Sequence, residues 1–390
     1  MTSRRTLMIP GPTQSPDYVL QEMAGPVLPH YESEWSEVYW QIDGMLQQVF
    51  GTTSDVISLN GSGTLSFEIA LASLIRPGDR VLAIDNSFYG DAMGRAALGF
   101  GADVTFMNAP QCLAVTEESL RRHLERGPYA LVATAHHDTA TGFLNPLETT
   151  GALCREYNVP LLVDCVSSIG AMPFLMDDWG VDFACGSVQK ALDCPAGLAL
   201  VGVSERGWDR IREAGDLKRG RYMSLANWRR ARTEMRMTHP NLISIATNNM
   251  MGLRASLERI LEEGLERRLQ RLQRYGTMLR RGLQAMGLET FVPDEHAPIL
   301  TRVVFPEGLD RDEAREFLRF NYNILVGSEF RVAHFGAGVN EDTITLVLVA
   351  LEDYLRSKGV RPSRGAPLSG LEEFRRVDFT PVESYHHDRS

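Results

Sequence analysis

From about residue 55 the chain alternates short apolar runs with segments of helical period. DVISL at 55–59 precedes GSGTLSFEIALASLI, whose apolar positions recur at helical spacing; PGD and the run RVLAID follow. FYGDAMGRAALGFG, ADVTFM, a polar helix near 116–126 and YALVATA at 129–135 continue the rhythm. LETTGALCREYN, VPLLVDC at 159–165, VDFACGS at 181–187 and GLALVGV at 197–203 complete it. Strands and helices alternating in this way predict an α/β fold with a largely parallel sheet covered by helices on both faces. Ligands of such sheets bind outside the carboxyl ends of the strands.

From about residue 241 the pattern changes. A long helical stretch runs to about 287, with a predicted break near Gly264. PILTRVVF, LDRDEAREFLRF, ILVGSEFRVAHF and NEDTITLVLVALEDYL then read strand, helix, strand, helix. The expected division is an N-terminal arm over 1–20, a large domain over 21–250, a smaller C-terminal α/β domain over 251–358, and an extended tail over 359–390 rich in Pro, Gly and charge.

Composition narrows the function classes. A net charge of −10 gives no reason to expect nucleic acid or an anionic membrane as partner. The arginines at 218–236 are interleaved with acidic and apolar residues, which predicts a solvated or interface face. No run approaches the ~18 consecutive apolar residues of a membrane-spanning helix. The start, MTSRRTLMIPGPTQSP, is too polar for a signal-peptide core. The five cysteines (112, 154, 165, 185, 194) form no CxxC pair, and the expectation is reduced thiols in a cytoplasm. The adjacent pairs His136–His137 and His386–His387 match helical metal ligation poorly, so no metal site is expected.

One residue stands out against this background. Of 40 basic residues only Lys190, Lys218 and Lys358 are lysine, and Lys190 sits in the small, apolar stretch GSVQKALDCPAG. A lysine amine can lose its proton and attack a carbonyl, which a guanidinium cannot. Asp164 ends the very apolar run VPLLVD, where a carboxylate is costly unless paired. GSGT at 61–64 lies between a strand and a helix start, where exposed N–H groups and hydroxyls suit a phosphate. Pyridoxal 5'-phosphate (PLP) needs these three parts: a phosphate anchor, a carboxylate for the pyridine nitrogen and an imine-forming lysine. A dinucleotide-binding oxidoreductase is the rival reading. GSGTLS lacks the third glycine of GxGxxG, and that reading leaves Asp164 and Lys190 without a role.

The motifs PGPT (10–13), NGSGT (60–64), FYG (88–90), HHDTATGFLNP (136–146), VDCVSSIGA (163–171), GSVQKAL (186–192), THP (238–240) and FRVAHFG (330–336) resemble, in order, those of the class V aminotransferases. These are fold-type I PLP enzymes, and the chain is most similar to their alanine–glyoxylate and serine–pyruvate branch, from about Ile9 to Leu355. The resemblance implies that Lys190 carries PLP and moves the substrate alpha proton, and that Asp164 faces the pyridine nitrogen. It further implies that Tyr89 stacks on the ring with Val166 on the opposite face. Ser62, Gly63, Thr64 and Gln189 would hold the phosphate, with Thr238 reaching it from the partner subunit of a homodimer. Thr139 would bond near the ring hydroxyl, Arg331 would bind the substrate carboxylate, and backbone at Gly11 would close the site. The implied reaction is ping-pong transfer of an amino group from a small amino acid to a small 2-oxo acid such as glyoxylate or pyruvate.

The chain departs from the family pattern: Met235 stands where relatives often have tyrosine, HYES (30–33) where they often read HRS and Tyr89 where close relatives often have tryptophan, and the long tail after 359 is also unusual. Cysteine desulfurases share the fold, but they need a nucleophilic cysteine in the C-terminal half and usually a histidine before the lysine. Here no cysteine follows Cys194, and Gln189 precedes Lys190. A 2-aminoethylphosphonate–pyruvate transaminase is the runner-up, because HHDTATG looks somewhat like theirs. A PLP-fold protein without catalysis is the alternative of a different class.

Overall fold

The strands follow from the apolar runs. In the computed structural model, which describes residues 5–108, 115–293, 298–363, 365–369 and 371, they are β1 (Thr6–Met8), β2 (Asp55–Gly61), β3 (Arg80–Asp85), β4 (Asp103–Asn108), β5 (Leu131–Ala135), β6 (Leu161–Asp164), β7 (Phe183–Ser187), β8 (Gly197–Val203), β9 (Glu289–Thr290), β10 (Leu300–Val304), β11 (Ile324–Val326) and β12 (Arg331–Ala333). Cys112, His386, His387 and most of the expected 359–390 tail lie outside the described residues.

Seven strands form one sheet in the order β2-β8-β7-β6-β5-β3-β4. Every pairing in it is parallel except those of β8, which runs antiparallel to both neighbours. Because side chains alternate along a strand, each strand feeds two cores. Val56, Leu82, Ile84, Val132, Leu161, Val163 and Leu200 face one side, under the helices Glu32–Phe50, Leu147–Glu156 and Thr247–Glu263. Ile57, Val81, Ala83, Leu131, Leu162 and Val201 face the other, under Gly63–Leu74, Phe88–Gly99 and Glu205–Ala214. Burial of each Val, Leu or Ile side chain is worth roughly 1.5–3 kcal/mol. The two apolar faces are what make this doubly covered sheet the stable solution.

The helical stretch after 241 begins at Thr247 and breaks at Gly264, between Thr247–Glu263 and Leu265–Ala285. Gly264 has φ +84, a conformation that favours glycine, and a Cβ there would meet nothing, so backbone and not crowding selects it. A third core, including Leu279, Leu283, Leu318, Ile324, Val332 and Leu348, joins these C-terminal helices to the antiparallel sheet β12-β10-β9.

Two local expectations are corrected. ILVGSEFRVAHF is not one strand: β11 and β12 belong to different sheets and are separated by a 3-10 turn at Ser328–Phe330. Glu32, in the HYES departure, opens the 19-residue helix Glu32–Phe50, whose N-cap is Tyr31. Arg232, within the arginine-rich 218–236 segment, is not solvated: it is buried against Asp43 at 2.8 Å and Asp55 at 3.2 Å. Its guanidinium also donates to the Tyr39 hydroxyl.

β1 has a specific consequence for the chemistry. It pairs in parallel with β11, Thr6 opposite Ile324, and so carries the following PGPT turn across the carboxyl ends of the large sheet. There Thr13 N–H donates to the Gln189 carbonyl at 2.9 Å, and Thr13 Oγ1 to the Lys190 carbonyl at 2.7 Å.

Candidate active site

Asp164 is the last residue of β6, and Lys190 follows β7, the adjacent parallel strand. Both therefore emerge at the carboxyl edge of the sheet, and both are buried. Lys190 Nζ donates to the Pro10 carbonyl. Burial lowers its pKa to about 8, against the attraction of Asp164. Burial raises the Asp164 carboxyl to about 6, opposed by the Val166 N–H at 2.9 Å and by the Lys190 charge. The loop carrying the lysine is anchored from behind. Arg268 donates to the Ala191 carbonyl at 2.8 Å and to Asp193 at 2.7 Å, and Asp193 also accepts from Ala337 N–H.

Ser62 is the N-cap of the helix Gly63–Leu74, yet its side chain makes no capping hydrogen bond, and both Ser62 and Thr64 are exposed. Gly63 between them is buried: a Cβ would lie 3.1 Å from both Ser187 Cβ and Val166 Cγ2. The helix start thus opens toward Val166 and Ser187, and Ser187 Oγ donates in turn to Gln189 Oε1. On the far side Tyr89 is half-buried near the start of the helix Phe88–Gly99. Its hydroxyl shares a hydrogen bond with the Thr139 side chain and feels the Asp164 charge.

Arg331 opens β12. Its guanidinium donates to the Thr139 carbonyl at 2.6 Å, to the Ser328 carbonyl at 2.8 Å and to Ser328 Oγ at 2.7 Å, so the fork is already oriented. It faces a cavity of about 740 Å³ lined also by Tyr89, Asp138, Thr139, Arg302 and Glu329.

Lys190, Asp164, Tyr89, Thr139, Val166, Gln189, Arg331 and the Ser62–Thr64 helix start therefore converge, with Gly11 against the lysine. Gly11 has φ +130, and a Cβ there would sit 2.7 Å from Lys190 Cδ. Thr238 is exposed, in a turn next to the helix Leu225–Glu234, and no contact links it to this cluster within one chain. His136 and His137 are buried loop residues bonded to Ser168 and Ser167, and burial lowers both to about 3. Sequence reasoning did not supply Asp193 with Arg268, nor Arg302 with Glu329. Asp193 at least lies within GSVQKALDCPAG, but the other three depend on contacts across the fold.

The residues fit PLP on their own geometry. A buried carboxylate leaves one oxygen without a hydrogen-bond partner among the described residues, a buried amine lies within its electrostatic reach, and a glycine-floored helix start carries uncommitted hydroxyls.

The family model for Aminotransferase class-V matches residues 7–340. This chain belongs to the class-V aminotransferases. It is 32% identical over 359 residues to an uncharacterised aminotransferase of Methanocaldococcus jannaschii, covering 89% of this chain and 92% of that one. It is 29% identical to alanine–glyoxylate aminotransferase of Drosophila melanogaster, covering 90% and 93%. The solved structure of ureidoglycine–glyoxylate aminotransferase from Bacillus subtilis superposes with a TM-score of 0.91 at 28% identity, covering 97% of this chain and 99% of that one. The α/β fold with a largely parallel sheet expected from the alternating pattern is the fold observed, and it is the aminotransferase fold that the family resemblance implies. Among the described residues no helix is long and apolar enough to cross a membrane.

Proposed function

We propose that this aminotransferase uses PLP to move an amino group from a small amino acid to a small 2-oxo acid such as glyoxylate or pyruvate. The observation that carries the reading is the placement of buried Lys190 and Asp164 at the carboxyl edge of the sheet, with Lys190 in electrostatic reach of Arg331, which makes no ion pair among the described residues. Relatives that use glyoxylate support the acceptor class.

Ser62, Gly63, Thr64 and Gln189 would hold the cofactor phosphate, with Thr238 of a second subunit. Asp164 would accept the pyridinium N–H, Tyr89 and Val166 would enclose the ring, and Thr139 would bond near its hydroxyl. When bound, PLP supplies the electron sink that makes the substrate Cα–H bond acidic. The chain's own residues do the rest. Arg331 binds the substrate carboxylate bidentately and, held by Thr139 and Ser328, fixes where Cα lies. Lys190, with its pKa lowered to about 8, is neutral in a useful fraction near physiological pH. Its Nζ takes the proton from Cα and returns it. The Gly11 turn covers the lysine and limits access of water.

A homodimer follows from the same reading, since Thr238 acts only from a neighbouring chain. Exposed Met237 and Tyr31 near it form the kind of apolar surface that a partner covers. A cytoplasmic setting fits the free, buried cysteines 154, 165, 185 and 194.

The test is a half-reaction. The PLP-loaded protein is mixed with one amino donor at a time, without acceptor, and the oxo acid released is quantified. The expected result is one equivalent per site for at least one small amino acid. Release of none from any donor would refute the assignment.

A further inference from the structure

The substrate cavity contains a second arginine. Arg302 on β10 lies directly opposite Arg331 on β12 in the antiparallel register, so the two side chains leave the same face of the sheet. Like charges directly opposite one another are unfavourable and need a counterion. Glu329 provides it. Its Oε2 accepts from Arg302 Nη2 at 2.9 Å and also pairs with Arg311. Arg302 is further held over the Phe291 ring, 4.0 Å from its centroid. Among the described residues Arg331 has no carboxylate within ion-pair distance; its fork is held by a backbone carbonyl on each side and the Ser328 hydroxyl. The two guanidiniums thus share one cavity wall but differ in one respect: among the described residues Arg302 is ion-paired, whereas Arg331 feels the Asp138 and Glu329 carboxylates only at longer range.

Glu329 holds this position at a conformational cost. It lies at φ +57, and Phe330 after it at φ +48, two successive residues without the freedom of glycine in the left-handed region. That turn is what breaks ILVGSEFRVAHF into two strands and carries the carboxylate into the wall of the cavity. Local strain of this kind persists where the surrounding structure and the site require it.

We propose that Glu329 is a charge guard that restricts the site to monocarboxylic substrates: by occupying Arg302 it denies a second guanidinium to a second substrate carboxylate. The inference rests on the reading of the Arg331 cavity as the substrate site. A dicarboxylic acid bound to Arg331 would place its distal carboxylate toward a wall where Arg302 is already paired and Glu329 repels it. Specificity then comes from an unfavourable element as much as from an attractive one. Glu329 acts through Arg302 and is a positioning residue.

The experiment compares PLP-loaded wild type, Glu329→Gln, Glu329→Ala and Glu329→Gln/Arg302→Met. For each, kcat/KM is measured with 2-oxoglutarate and with glyoxylate or pyruvate. The ratio of dicarboxylic to monocarboxylic acceptor is expected to rise at least about tenfold in Glu329→Gln and to fall back in the double variant. A ratio within about twofold of wild type in both single variants would overturn the guard. Calorimetric titration of the wild type with succinate and with butyrate gives a second, turnover-free judgement. Succinate is expected to bind no tighter than butyrate, and tenfold tighter succinate binding would overturn the proposal. If the wild type turns over neither glyoxylate nor pyruvate, the failure falls on the substrate reading, while the titration still decides the guard.

Discussion

Lys190 and Asp164 are buried ionisable groups whose folded pKa values are displaced in opposite senses, and each displacement carries a stability term. Asp164 is raised to about 6, above its ordinary value, so the folded state disfavours its charge. That cost is absent at low pH, where the carboxyl is neutral in both states; it develops as pH rises from the ordinary carboxylate value to the folded value and is constant above it. Asp164→Asn keeps an acceptor for the Val166 N–H and removes the charge. The cofactor-free variant should therefore be more stable than wild type above about pH 6, by at most ~3 kcal/mol, and the gap should close below about pH 4. Urea melts across pH check this; a gap of constant size would contradict it. The same variant should lose most of the thermal stabilisation that PLP confers on wild type. Arg331→Gln removes one fork and should lower kcat/KM for both amino and oxo acids by roughly 2–4 kcal/mol, with little change in melting temperature. Steady-state kinetics on a donor–acceptor pair reads that directly. At this scale Lys190 and Asp164 are legible in the sequence, because one is among only three lysines and the other ends an apolar run. Arg302 is not, since its meaning depends on the register that sets it opposite Arg331.

Among the elements, the PGPT turn that follows β1, through Thr13, and the Arg268–Asp193 pair both hold the lysine loop. Gly11→Ala would put a methyl group 2.7 Å from Lys190 Cδ at a backbone angle that alanine avoids. The expected cost is about 1–3 kcal/mol of stability, with a slower rate of PLP capture, measured by the return of activity when cofactor is added to the cofactor-free protein. Arg268→Met leaves the Asp193 carboxylate buried without its cation, and should destabilise the fold by about 3–5 kcal/mol. Arg268→Met/Asp193→Asn should recover much of that loss, and denaturant melts of the set would show it. The runs 161–164 and 183–187 are readable as strands because buried parallel strands are apolar on both faces. The reversal of β8 is not readable: GLALVGV is as apolar as its parallel neighbours, and only pairing fixes its direction. Nor does the apolar spacing of ILVGSEFRVAHF reveal the two left-handed residues that split it.

For the whole molecule, the order of the motifs along the chain carries the family resemblance, and those at 60–64, 88–90, 136–146, 163–171 and 186–192 fall at the carboxyl edge of the large sheet. The proposed second subunit is not expressed in the chain order: Thr238 is exposed, and no hydrogen bond or ion pair among the described residues ties its side chain to the lysine. A dimer follows from the proposed site, and sedimentation should give twice the chain mass; a monomer that binds PLP with full affinity would contradict it. The account as a whole rests on which side chain carries the cofactor. Borohydride reduction of the PLP-loaded protein, followed by peptide mass spectrometry, tests that most directly. The account predicts a phosphopyridoxyl mass on the peptide containing Lys190, and none anywhere on Lys190→Arg. The modification on Lys218 or Lys358 instead, or undiminished labelling of Lys190→Arg, would contradict it.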